Sequence, residues 1–100
     1  MKKVVIIGAG VSGLAAGIFL AQAGFDTTVI EKNKDTGGNL TGWDRDGYHI
    51  DNCIHWLTGT RAGTKLFSLW KTVGALENTD IIQPYALFTS EKDGESVSFL

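Results

Sequence analysis

Three glycines with fixed spacing follow a short apolar run near the start of the chain. Residues 4–7 read VVII, a β-branched run of strand length, and Gly8, Gly10 and Gly13 then complete the pattern G-x-G-x-x-G. Small and apolar residues recur at helical spacing over residues 14–21, which is typical of a helix with one buried face. The pattern predicts a buried strand, a tight turn and a helix in direct succession.

Each glycine of the pattern has a separate physical task in such a turn. Gly8 permits the sharp turn, Gly10 lets the backbone approach a bound pyrophosphate, and Gly13 allows the helix to pack against the strand. The pattern contains no basic side chain, so backbone N–H groups at the helix start would have to hold the anion. We therefore expect Gly8, Gly10, Val11, Ser12 and Gly13 to bind the phosphates of a dinucleotide.

A second strand and an acidic residue complete this unit. Gly24 stands where a glycine would end the helix, and residues 27–30 form a second strand-like run. Glu31 follows directly, where a carboxylate can accept hydrogen bonds from both ribose hydroxyls of an adenosine. Its charge would repel the 2′-phosphate of NADP. An exposed surface glutamate is the alternative, but the order of strand, glycines, helix, strand and acidic residue favours dinucleotide binding.

The same region also has features of an export signal or a membrane span. It begins with the basic pair Lys2 and Lys3, carries no charged residue over 4–25, and has a small-x-small sequence at 21–23. Five glycines interrupt the apolar run, and each disfavours a helix by about 1 kcal/mol relative to alanine. We therefore expect a phosphate-binding turn here rather than a signal or anchor, and a cytoplasmic location.

The stretch after Glu31 bears on which dinucleotide is bound. A polar, glycine-rich segment with Gly37 and Gly38 follows directly, where an ordinary NAD-binding domain would proceed to another crossover helix. The glycine pair offers a second place where backbone can lie against a cofactor. Asp, Thr and Gly are also typical of a plain surface turn. Spacing alone leaves both interpretations open.

At this point the sequence resembles a known family. The segments GAGVSGLAAGIFLAQAGFDTTVIEKN and TGGNLTG are similar to the N-terminus of the FAD-dependent amine oxidase and phytoene desaturase superfamily. Residues 46–51, DGYHID, are similar to a segment of its phytoene dehydrogenase-like and carotenoid isomerase-like members. The resemblance implies FAD as the cofactor, with Glu31 on the adenosine ribose and Gly38 near the phosphate and ribityl region. Lys32 and Asn39 are further cofactor-binding candidates.

The resemblance also implies an activity. It is that of a flavin-dependent oxidoreductase that abstracts hydride from a C–C or C–N bond of an apolar substrate, a polyisoprenoid or an amine. Two positions depart from the family pattern: Asn39 stands where arginine is usual, and Cys53 and Ile54 stand where desaturases often carry Gly-Pro. The alternative is a non-enzymatic NAD-binding or NAD-sensing module, in which the glycine pair at 37–38 is only a turn.

Turn and helix signals organise the second half of the chain. A helix is predicted over residues 61–73, with Thr60 as its N-cap and Gly74 at its end. The expected fold class is α/β: a partial Rossmann-type FAD-binding domain, with a βαβ unit of parallel strands, plus a helix and a C-terminal β-hairpin. Two hairpins are predicted around Asp-Gly turns, with arms at 43–45 and 48–50 around 46–47, and arms at 85–91 and 96–100 around 93–94.

The second half offers few candidates for chemistry. By the resemblance, the segment with Cys53, His55 and Trp56 runs near the flavin or the substrate entrance, and His55 and Trp56 are candidates for the substrate-pocket wall. Cys53 is expected to be a small buried hydrophobe rather than a nucleophile, because no third group orients the pair with His55. No catalytic residue is assigned. A single cysteine excludes a Cys-rich zinc site, and no metal is expected.

The net charge and the length of the chain limit its possible partners and the number of its domains. Nine basic and 11 acidic residues give a net charge of −2, which gives no reason to expect a nucleic-acid partner. A chain of 100 residues allows one small domain, whereas a doubly wound FAD domain needs further parallel strands. We therefore expect a fragment of a larger enzyme, inactive alone, with residues 1–80 in the FAD-binding domain and the hairpin at 81–100 beginning a substrate-binding sheet. Exposed strand edges would favour a homo-oligomer, and peripheral membrane association would come from other parts of the enzyme.

Overall fold

The computed structural model describes residues 1–54 and 56–100 of the chain. His55, a predicted substrate-pocket residue, lies outside the described residues. A short 3₁₀ turn at Gly38–Leu40 precedes the third strand. The other elements are, in chain order, β1 (Lys3–Ile7), α1 (Val11–Gln22), β2 (Asp26–Ile30), β3 (Gly42–Arg45), β4 (Tyr48–Asp51), α2 (Lys65–Thr72), β5 (Phe88–Lys92) and β6 (Glu95–Phe99).

The first unit of the fold is a parallel strand pair connected by a helix. β1 and β2 pair in parallel, with Lys3 opposite Asp26 and Ile7 opposite Ile30. α1 lies on one face of this pair, and its Gly17 is buried against side chains of both strands. The predicted βαβ unit and the α/β fold class are therefore confirmed. Among the described residues, no helix is long and apolar enough to cross a membrane.

The other face of the β1–β2 pair is open. Val5 is 60% exposed, Ile7 88% and Ile30 52%, so both faces are apolar but the helix covers only one. Within residues 1–54 and 56–100, Ala9 is the one apolar side chain classed as buried, at 2% exposure. The radius of gyration is 18.1 Å, against about 13 Å for a compact domain of this length. The apolar surface is therefore not gathered into one core.

Glycines in the left-handed region end both helices, as predicted. Gly24 has φ 87°, and the N–H groups of residues 24 and 25 return to carbonyls in the last turn of α1. Gly74 has φ 75°, and the N–H groups of residues 74 and 75 do the same for α2. Side chains with a Cβ rarely adopt this conformation, which is why glycine ends these helices.

Both predicted hairpins form around left-handed Asp-Gly turns. β3 and β4 pair antiparallel across Asp46 and Gly47, with φ 51° and 82°. β5 and β6 pair across Asp93 and Gly94, with φ 53° and 83°. Positive φ at both central residues matches the twist of the flanking strands. The arms of the second hairpin begin and end a few residues away from the predicted limits.

The predicted start of α2 is wrong. The helix begins at Lys65, and its N-cap is Thr64, whose Oγ1 accepts a hydrogen bond from the Phe67 N–H at 3.2 Å. Gly63 has φ 83°, which interrupts any helix starting at 61 with Thr60 as its cap. Apolar side chains of α2 remain accessible to solvent, and Leu69 is 50% exposed.

Candidate dinucleotide-binding site

The phosphate turn, residues 8–13, joins the end of β1 to the first turn of α1. Gly8 has φ 102°, and its N–H donates to the Ile30 carbonyl at 2.7 Å, which ties the turn to the end of β2. Gly10 is the N-cap of α1, and its carbonyl accepts from the Leu14 N–H at 2.9 Å. The chain therefore leaves the strand and enters the helix within three residues.

The fold of the chain requires glycine at two of the three glycine positions of the turn. Gly8 needs its positive φ. A Cβ on Gly13 would overlap with the Gly8 carbonyl oxygen and lie 3.2 Å from its carbon. Gly10 has an ordinary φ of −73°, and a Cβ there would meet nothing within 4 Å. Gly8 and Gly13 thus serve the fold of the chain itself, whereas the protein places no steric demand on a glycine at Gly10.

The start of α1 is suited to an anion. The N–H groups of Val11, Ser12 and Gly13 lie in the first turn, where they have no partner within the helix. Gly10 provides no side-chain cap, and the first turn contains no acidic residue. The helix dipole adds a partial positive charge at this end. The turn thus has backbone donors without a partner in the helix and no negative side chain among residues 11–13.

Glu31 lies at the end of β2 and faces this turn. Its Oε2 accepts a hydrogen bond from the Ala9 N–H at 2.7 Å, and its Oε1 accepts one from the Asn33 N–H at 2.9 Å. These bonds, first that from Ala9, lower the pKa of the half-buried Glu31 carboxyl below its ordinary value. The side chain is therefore ionised at neutral pH. Lys32 beside it is exposed.

The second glycine segment packs directly onto the first. The Gly37 N–H donates to the Ala9 carbonyl at 2.7 Å, and Gly37 forms an isolated parallel bridge with Gly10. A Cβ on Gly38 would lie 3.2 Å from the Gly10 Cα. Asn39 follows in the 3₁₀ turn and is exposed. Gly37 and Gly38 therefore form one wall of the phosphate turn, which goes beyond a plain surface turn.

Trp56 lies apart from these residues. It lines an apolar cavity of about 550 Å³ between the loop at 56–60 and the segment at 76–87, and none of the cofactor candidates lines that cavity. Cys53, expected to be buried, is exposed. The structure thus brings the phosphate turn, Glu31 and the second glycine segment together, and places Trp56 elsewhere.

Comparison with known proteins decides the family. The profile described as "NAD(P)-binding Rossmann-like domain" matches residues 6–73. The chain belongs to this family. The match begins at the end of β1, covers α1 and β2 with the glycine segments, and extends to the end of α2.

Relatives of this Rossmann-like domain include enzymes of carotenoid metabolism. A probable zeta-carotene desaturase from Synechococcus elongatus is 40% identical over 77 residues, which is 76% of this chain and 16% of that protein. A 4,4′-diapolycopene oxygenase from Methylomonas is 48% identical over 50 residues, 50% of this chain and 10% of that protein. A phytoene desaturase from Fusarium fujikuroi is 46% identical over 50 residues, 50% of this chain and 9% of that protein. The predicted resemblance to the phytoene desaturase superfamily is confirmed, and the chain spans a small part of these relatives' length.

A solved structure shares the fold of the Rossmann-like domain. A crystal structure of a protein from Pyrococcus furiosus matches with a TM-score of 0.70 and 27% identity over 98% of this chain and 24% of that chain. The matched length includes both hairpins and α2. The arrangement of elements around the phosphate turn is therefore found in a larger protein.

Sequence reasoning missed two residues of the site. Ala9 is the buried centre of the phosphate turn, bonded through its N–H to Glu31 and through its carbonyl to Gly37. Asn33 holds the second oxygen of Glu31 through its backbone N–H. Both residues act through main-chain groups, so the types of their side chains do not reveal these hydrogen bonds. The small alanine side chain between two glycines is the only feature of the sequence that indicates a buried peptide at position 9.

Proposed function

We propose that this domain binds the adenosine and pyrophosphate end of FAD, as the cofactor-binding part of a flavin-dependent oxidoreductase similar to phytoene dehydrogenases. The observation that carries the proposal is the open space at Gly10. Its φ is ordinary and a Cβ there would touch nothing within 4 Å. The remaining reason for glycine at this position is the close approach of a ligand to the backbone.

The residues at the turn fit a pyrophosphate. The N–H groups of Val11, Ser12 and Gly13 would hold its oxygens at the start of α1, where the helix dipole favours a negative charge. Gly8 and Gly10 would let the backbone lie against it. Gly37 and Gly38 form the neighbouring wall, and Gly38 and Asn39 would lie where a dinucleotide continues towards its second half. When bound, FAD supplies the hydride acceptor, and the protein's own part here is to bind and orient it.

Glu31 would accept hydrogen bonds from the ribose hydroxyls with the free lone-pair directions of its two oxygens. A carboxylate has about four such directions, and the Ala9 and Asn33 N–H groups occupy two. The ionised side chain would repel a 2′-phosphate, so the proposal excludes NADP at this position. Lys32 would lie beside the ribose.

The substrate would be apolar, a polyisoprenoid or an amine, from which hydride leaves a C–C or C–N bond. The matched relatives are named for reactions on carotenoids. Trp56 supports an apolar pocket wall, since it shares its cavity with several leucines and isoleucines, and His55 is proposed for the same wall. No residue of the chain is proposed as catalytic.

The domain would work within a longer, cytoplasmic enzyme. Residues 1–80 would form the start of the FAD-binding domain, and the hairpin at 81–100 would begin a substrate-binding sheet. The exposed apolar face with Val5, Ile7 and Ile30 fits a domain that packs against further structure. Strand edges left open would favour a homo-oligomer, and any membrane association would be peripheral. Sedimentation velocity of the purified protein measures the oligomeric state.

Gly10→Ala tests the proposed function in the full-length protein. The methyl group would occupy the space that the phosphate needs, so FAD affinity should fall at least roughly tenfold while folding is unaffected. Gly17→Ala adds the same methyl group to α1 outside the turn and should retain FAD. The measurements are the flavin absorption spectrum of the purified protein and calorimetric titration with FAD and NAD. Unchanged FAD affinity in Gly10→Ala would overturn the assignment of the turn.

The second candidate is a non-enzymatic NAD-binding module, which the family's description as NAD(P)-binding favours. A colourless protein that binds NAD and not FAD in the same titration would support this alternative. A yellow protein with a flavin spectrum would support the oxidoreductase.

A further inference from the structure

Ala9 lies at the centre of the phosphate turn, and both of its backbone polar groups are bonded to later parts of the chain. Its N–H donates to Glu31 Oε2 at 2.7 Å, and its carbonyl accepts from the Gly37 N–H at 2.7 Å. Gly8 and Gly10 flank it, and glycine backbones rotate with little steric restriction. The two bonds to Ala9 therefore restrain the peptide unit between two glycines of the turn.

The carboxylate of Glu31 is itself held from two sides. Oε2 bonds to the turn after β1, and Oε1 bonds to the Asn33 N–H in the loop after β2. An ionised acceptor makes both bonds stronger than bonds between neutral groups. Glu31 is thus a bridge between the two loops at the same end of the parallel strand pair.

We propose that Glu31 is a positioning residue for the phosphate turn, in addition to its place at the ribose. By holding Ala9, it fixes the direction of the N–H groups at 10–13 that would receive the pyrophosphate. This inference rests on the proposed function for its ligand, but the restraint on Ala9 exists in the protein without any ligand.

The positioning role and simple electrostatics predict opposite effects on an anion. A negative side chain near the turn repels pyrophosphate, so removing its charge alone should strengthen binding. Loss of the restraint on Ala9 should weaken binding, because the N–H groups must then be ordered when the ligand binds. A ligand without ribose separates these effects from any contact between Glu31 and a sugar.

Amide hydrogen exchange tests the restraint directly. In the full-length protein the Ala9 amide should exchange about tenfold faster in Glu31→Ala than in the wild type, as expected for the loss of one hydrogen bond to a charged group. Glu31→Gln keeps an acceptor oxygen and should retain most of the protection. Asp35→Asn removes the same charge from a nearby exposed residue and should leave Ala9 unchanged. Unchanged amides in β1 and β2 establish that Glu31→Ala still folds.

Titration with inorganic pyrophosphate tests whether the restraint on Ala9 strengthens anion binding. Glu31→Ala should bind it several-fold more weakly than the wild type, and Glu31→Gln should bind it at least as well as the wild type. Tighter binding by both variants, or equal Ala9 exchange in Glu31→Ala and wild type, would overturn the positioning role. If neither pyrophosphate nor FAD binds the wild type, the proposed function fails, and the Ala9 exchange rates still decide whether Glu31 holds the turn.

Discussion

Replacement of Gly13 by alanine should destabilise the protein because the added methyl group has no room. A Cβ at this position would overlap with the Gly8 carbonyl oxygen and lie 3.4 Å from Ile6 Cγ2. The oxygen belongs to the backbone of a turn fixed by bonds to β2, so it cannot rotate away as a flexible side chain would. Overpacking of this kind costs about 1–3 kcal/mol, while alanine in a helix gains roughly 0.5–1 kcal/mol over glycine. Because the overlap is with a backbone atom, the cost belongs at the upper end of its range, and the net loss in the free energy of unfolding should be about 2 kcal/mol.

Gly17→Ala is the matched control for this substitution. It adds the same methyl group to the same helix, but its nearest neighbours are side-chain atoms, Val29 Cγ2 at 3.1 Å and Ile6 Cδ1 at 3.6 Å. These atoms can move by a few tenths of an ångström. The gain in helix propensity, roughly 0.5–1 kcal/mol, should then offset the crowding and leave the stability nearly unchanged.

Urea unfolding followed by far-ultraviolet circular dichroism measures both variants. The midpoint should fall in Gly13→Ala and remain close to the wild-type value in Gly17→Ala, with the same dependence on urea concentration. Wild-type stability in Gly13→Ala would refute the argument that the Gly8 carbonyl requires a glycine there. Equal losses in the two variants would show that any methyl group on α1 is costly and that the carbonyl has no special part.

Three further predictions concern a cap, a helix end and a titrating pair. Thr64→Ala removes the N-cap of α2 and should lower stability by about 1 kcal/mol in the same unfolding assay, with Thr64→Ser retaining it. Gly24→Ala places a Cβ at φ 87° and should cost about 1 kcal/mol, where an unchanged midpoint would count against the left-handed end of α1. The Asp44 carboxylate accepts a hydrogen bond from His49 Nδ1 at 2.7 Å and raises the pKa of His49, so the hairpin gains stability that is fully present below the unfolded pKa of about 6.5 and is lost as pH rises through the folded value. NMR titration of His49 should give a lower pKa in Asp44→Asn, and an identical value would contradict the pairing.

The elements that the sequence predicted well are those decided by local sterics. The turn at Gly8, the end of α1 at Gly24 and the two Asp-Gly hairpin turns all have positive φ, a property of single residues and their neighbours. The start of α2 was missed because Thr60 and Thr64 are equally good caps by type, and the choice depends on the left-handed Gly63 between them. The exposure of Cys53 was missed because burial depends on which elements cover a loop.

The sequence by itself determined the phosphate turn, because the spacing of Gly8, Gly10 and Gly13 acts within a few residues of backbone. Only the tertiary structure decided what holds that turn in place. Glu31 and Ala9 are 22 residues apart in sequence and meet because β2 lies parallel to β1, which brings the loops at the strands' carboxyl ends together. Gly37 reaches Ala9 from still further along the chain. These hydrogen bonds use main-chain groups, which nearly every residue has. The sequence therefore shows where a carboxylate lies along the chain, and the fold decides which N–H group donates to it.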